Sequence, residues 1–107
     1  MLTGFCANGM ETGMWQAVLL AFLAGLLGCN AYPHFAKGIT AQRFPTVFGS
    51  SPVVNVIAGW SGLTLAALCL WGAHPVRHPG WALLGLAVGA LPMGLFHAAG
   101  HTIGARD

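Results

Sequence analysis

His97 and His101 stand four residues apart, and on a helix that spacing puts both imidazoles on one face. Two nitrogens so arranged suit metal ligation, and His34 is the third candidate ligand. Haem or chlorin ligation through His97 is a variant of the same idea. The set lacks a carboxylate, because Glu11 belongs to the far end of its span and Asp107 closes the chain. The competing reading has His97 bonding a backbone carbonyl or Asn55 inside a helix bundle, with His101 at the membrane interface. Ionisable groups at membrane depth point to function without naming it. No cofactor is therefore predicted, and metal or haem stays the alternative.

A second polar set lies between His34 and Val56. It holds Lys37, Arg43, Ser50, Ser51 and Asn55, interleaved with Phe35, Phe44 and Phe48. Half of the chain's four Lys/Arg residues and half of its six Phe residues fall in this short stretch. Ser51 followed by Pro52 reads as an N-cap and first helical residue. The helix start, with Lys37, Arg43 and Ser50 beside it, offers a seat for a phosphate, a carboxylate or a lipid headgroup. Plain capping by Ser51 is the simpler alternative. Asn55, one turn into that helix, needs a hydrogen-bond partner, expected to be the connector backbone or His97. None of the hydrolase, phosphoryl-transfer or nucleotide-binding motifs occurs: no GxGxxG after a strand, no GxxxxGK[ST], no HExxH. No catalytic residue is assigned, and the chain does not read as a stand-alone enzyme.

The elements that position these groups follow from composition. The 107 residues suit one domain. Only 6% are charged and 56% are hydrophobic, against roughly 25% charged in soluble domains. In water such a chain would expose large apolar patches, which soluble monomers avoid; in lipid the conflict disappears. A net charge of +2 without a basic run is too small to suggest a nucleic-acid partner, and none is expected. Cys6, Cys29 and Cys69 have neither paired spacing nor an even count, which argues against a disulfide framework and a thiolate zinc site.

Three uncharged runs result: 13–31, 52–73 and 79–100. The first, at ~1.5 Å per residue, covers about 28 Å, close to the ~30 Å hydrocarbon thickness. The predicted fold is an all-α membrane protein with three transmembrane helices and a structured interfacial connector, 32–51, between the first two. In that connector the phenyl rings turn inward while Lys37 and Arg43 face headgroup phosphates. "LLGC" at Leu26–Cys29 has the form of a lipobox, but residues 1–14 hold no Lys or Arg, so the first run reads as a retained span.

Lys37, Arg43 and Arg106 share one side and Arg77 stands on the other. That bias puts the N-terminus outside and the C-terminus in the cytoplasm of a bacterial inner membrane. Span directions bring Cys29, Asn30, His34, Asn55, His97 and His101 to one layer, and His74 and His78 to the opposite rim. Gly85 and Gly89, with Gly25, Gly59 and Gly62, give shallow faces for helix contact. Pro92 frees the carbonyl of Val88 and is expected to kink the third span.

"YPHFAKGI", "RFPTVFG" and "SSPVVNVIAGW", within Tyr32–Trp60, resemble the signature stretch of a family of small bacterial inner-membrane proteins. The resemblance covers about 29 residues and carries over His34, Phe35, Gly38, Phe44, Pro45, Phe48, Ser51, Asn55, Val56, Gly59 and Trp60. Ala41 stands where that pattern has a second glycine. The resemblance implies a membrane protein with a structured connector and supplies no activity. The function expected from all of this is an accessory or interaction subunit, packing through Gly-rich faces and docking a partner or lipid through the connector. Its partners would be the bilayer, other membrane subunits or further copies of itself. The alternatives are a metal- or haem-binding membrane protein and an oligomeric small-solute channel or transporter.

Overall fold

The structure, a computed structural model, describes the backbone of residues 4–100 and the side chains of residues 13–100. Among the described residues there are three helices: α1 (Gly4–Ile39), α2 (Pro52–Gly72) and α3 (Pro79–Ala98). Their apolar lengths of 27, 21 and 20 residues are each sufficient to cross a bilayer. The chain is a multi-pass membrane protein. No strand occurs among the described residues.

α1 is longer than its apolar run. It continues through Pro33 to Ile39, so the connector begins at residue 40 rather than 32, and Phe35 and Lys37 are helical. Proline inside a helix removes one donor and leaves the carbonyl of Cys29 without its usual partner. Packing against α2 offsets that cost. A methyl group added at Gly62 would come within 2.6 Å of Ala31 Cβ, one at Gly59 within 2.5 Å of the Phe35 nitrogen, and one at Gly38 within 2.7 Å of the Pro52 carbonyl. Tertiary contact therefore holds helical a segment whose local sequence favours a break. Helix α3 likewise continues through Pro92.

The helix ends through a Schellman motif. Ala41 N–H donates to Gly38 O (3.0 Å) and Gln42 N–H to Lys37 O (2.9 Å). Ala41 takes φ +59°, the left-handed region in which a Cβ is penalised. That is the physical need a glycine at this position would meet.

α1 runs antiparallel to α2 and parallel to α3, and it forms the backbone of the assembly. At ~1.5 Å per residue its 36 residues span about 54 Å, which matches the molecule's 53 Å long dimension. On the α3 side a methyl at Gly85 would strike the Val18 carbonyl, one at Gly89 the Phe22 carbonyl and one at Gly25 the Leu86 carbonyl. These helices meet backbone to backbone. Every hydrophobic side chain buried among the described residues is alanine, including Ala17, Ala21, Ala24, Ala73 and Ala82. Large apolar side chains such as Leu19, Ile57, Leu68 and Leu91 face outward. A soluble core would invert this arrangement. In hydrocarbon, close approach and dispersion hold helices together, and bulk belongs on the lipid side.

Substituting Gly89 with Ala is expected to destabilise the protein by about 1–3 kcal/mol, read from thermal unfolding in detergent micelles. Gly80→Ala, where the added methyl meets open space, stays within about 0.5 kcal/mol of the parent. Ala41→Gly relieves the left-handed strain and raises stability by about 1 kcal/mol in the same assay. An unchanged midpoint would show that the Schellman end is not strained.

Candidate functional site

The loop between α1 and α2 has its own local order. Phe44 N–H donates to Ser50 O (3.1 Å), and Thr46 and Gly49 exchange backbone bonds of 2.9 and 3.2 Å. Thr46 Oγ1 donates to Gly49 O and accepts from Phe48 N–H at 2.9 Å. Gly49 adopts φ +119°, a conformation left-handed enough to favour glycine. This tight turn lifts Val47 and Phe48 away from the protein, with Phe48 77% exposed. Phe44 points back and is partly buried.

Asn55 ties this loop to two helices. Its side chain is fully buried, and its amide nitrogen donates to Phe44 O (2.7 Å) and Ser51 O (2.9 Å). Both amide protons are thereby used on carbonyls, which leaves Oδ1 as an acceptor only. His34 Nδ1 lies 2.8 Å from that oxygen, so the Nδ1 carries the proton, and in the neutral ring the lone pair sits on Nε2. One amide thus links α1, the loop and the first turn of α2. The Phe44 ring stands edge-on to the His34 ring at 5.1 Å. Each partner is satisfied, as a polar group at this depth requires.

The cations sit on the loop's outer side. Lys37 Nζ lies 5.8 Å over the Phe44 ring and 3.3 Å from Gln42 Oε1. Arg43 donates to Ser50 Oγ at 2.9 Å. Ser51 caps α2 by accepting Val54 N–H at 3.1 Å, the simpler of its two expected roles.

The expected depth layer is present among the described residues: Asn55 bonds the connector backbone as expected, and the imidazole partners are rearranged. His97 Nε2 donates to Asn30 Oδ1 at 3.0 Å; it bonds neither a backbone carbonyl nor Asn55. This second amide–imidazole pair closes the end of α3 on α1. Cys29 turns its sulfur toward Gly94 of α3, as a small packing group does. His101 lies outside the described residues. Among the described residues no group of three His, Cys, Asp or Glu side chains could hold a metal ion. The His34–Asn55 pair is the feature that sequence reasoning missed. The depth argument placed the two at one level, but which way each helix turns them was needed to pair them. The Gln16 bond to the Gly72 carbonyl (2.8 Å), which pins the opposite rim, had no signal in the sequence.

Comparison with family models, with curated proteins and with solved structures finds no match.

Asn55→Leu leaves the His34 N–H and the Phe44 carbonyl without their partner, and is expected to cost about 3 kcal/mol. Tryptic cleavage after Arg43 should accelerate strongly in folded detergent-solubilised protein, because the loop loses its anchor. Ser50→Ala, which removes only an exposed bond, changes stability by less than about 0.5 kcal/mol and leaves the cleavage rate near the parent's.

Proposed function

We propose that this protein is a small accessory subunit of a membrane assembly, docking a larger membrane partner through the loop 40–51. One observation carries the reading: the loop presents an exposed apolar tip, Val47–Phe48, on a turn anchored through the buried Asn55. Preorganised apolar anchors bind well because little freedom is lost on contact, and a projecting aromatic is a common centre of an interface. Arg43, bonded to Ser50, and Lys37, over the Phe44 ring, add donors for an acidic or carbonyl-rich partner surface. The chain's other resources fit the same role. The buried apolar side chains among the described residues are all alanine, which leaves an outer surface of large apolar side chains for lipid and neighbouring helices. We place it in a bacterial inner membrane with the loop and C-terminus on the cytoplasmic side, on the distribution of Lys37, Arg43 and Arg106 against Arg77.

A photo-crosslinking residue at position 48, activated in native membranes, tests this. The expected result is a discrete adduct with a second polypeptide, matched by migration in a larger complex in mild detergent. Asn55→Leu should abolish the adduct while the protein stays in the membrane. Adducts to lipid alone, with migration as a free monomer, would overturn the proposal.

A further inference from the structure

The rim opposite the loop carries a second feature, built around Arg77. Helix α2 ends with His74 at φ +52°, and His74 N–H donates to Trp71 O at 3.1 Å. Arg77 and His78 N–H groups both donate to His74 O at 3.0 Å, which fixes the turn internally. The turn is also fastened to α1. Gln16 Nε2 donates to Gly72 O, and the His78 ring lies over Gly13, where a methyl group would come within 2.7 Å of Nε2. Arg77 is therefore presented from a rigid turn. It is exposed, its neighbour Val76 is 95% exposed, and among the described residues nothing accepts a hydrogen bond from its guanidinium.

Arg77 is the shared wall of two hollows. One, of about 670 Å³, lies against Leu70, Trp71 and His74. The other, of about 560 Å³, lies against His78, Trp81 and Leu84. Each has a basic or imidazole group at its outer end and an apolar strip running along a helix toward the membrane centre. Trp71, 75% exposed, and Trp81 mark the level at which indole rings meet headgroups.

From this geometry we infer that Arg77 and the hollow beside Trp71 form a binding site for an anionic phospholipid. The phosphodiester meets the guanidinium fork, which matches two phosphate oxygens at once, and the first acyl segment lies along Leu70 and Trp71. A soluble phosphate would leave the apolar strip uncovered. A zwitterionic headgroup would bring an ammonium to a rim where the described side chains, Arg77, His74 and His78, offer no carboxylate. The chain's acidic residue near this end, Glu11, has its side chain outside the described residues, and the experiment includes it.

Native mass spectrometry of the detergent-solubilised protein, with equimolar phosphatidylglycerol and phosphatidylcholine of identical chains, tests the site. The parent should retain phosphatidylglycerol about five-fold over phosphatidylcholine, the size expected for one surface cation. Arg77→Gln should bring the ratio to about one, and Arg77→Lys, which keeps the charge without the fork, should fall between. The double variant Lys37→Gln/Arg43→Gln, on the opposite rim, should lower the ratio less than Arg77→Gln does, and Glu11→Gln should keep or raise it. Glycerol phosphate, the headgroup without chains, should leave no adduct. The inference fails if the parent shows no preference, if Arg77→Gln retains it, if the double variant abolishes it, or if glycerol phosphate binds as well as the lipid.

Discussion

α1 touches both of its neighbours at backbone distance, and everything else in the fold depends on that. Gly25, Gly85 and Gly89 let α3 approach until carbonyls of one helix face the bare Cα atoms of the other. Gly38, Gly59 and Gly62 do the same for α2. In water such seams would be poor cores, because they bury little apolar area. In hydrocarbon there is no apolar area to hide, and the number of close atomic contacts decides association. The result is an interior of alanine and glycine wrapped in leucine, valine and tryptophan.

Helices held by non-directional contacts still need their register fixed, and a few polar groups do that. At one end Asn55 and Asn30 each pair with an imidazole, His34 and His97. At the other, Gln16 reaches the last carbonyl of α2. Each bond joins two helices, and each lies near a rim, where a side chain can be satisfied without crossing the hydrocarbon. Polar bonds of this kind are individually modest in membranes. Their value here is positional: a one-turn slip of α2 along α1 would strand the Asn55 amide and drive Gly59 off Phe35.

The two rims differ in how they are built. The α1–α2 loop is long and borrows its shape from a buried amide, so its tip stands clear of the bundle. The α2–α3 turn is short and shaped by its own backbone, with His74 as the common acceptor. A loop of the first kind suits a protein partner, which reads a projecting shape. A turn of the second kind, carrying between two indoles a cation that no described side chain pairs with, suits the lipid proposed for it.

Three membrane spans, the two-rim distribution of charge and the capping role of Ser51 were legible in the sequence, because hydrophobicity, span length and local capping are properties of short segments. The same reasoning reached the shared depth of Asn30, His34, Asn55 and His97, since alternating direction alone sets depth. It could not pair them, because pairing depends on how far each helix is rotated about its axis. Nor could it carry α1 through Pro33, a residue that locally argues for a break and is overruled by contacts with Gly59 and Gly62, more than twenty residues away. Local chemistry determined which segments enter the membrane; only the packing of one helix on another decided where they end and which polar groups meet.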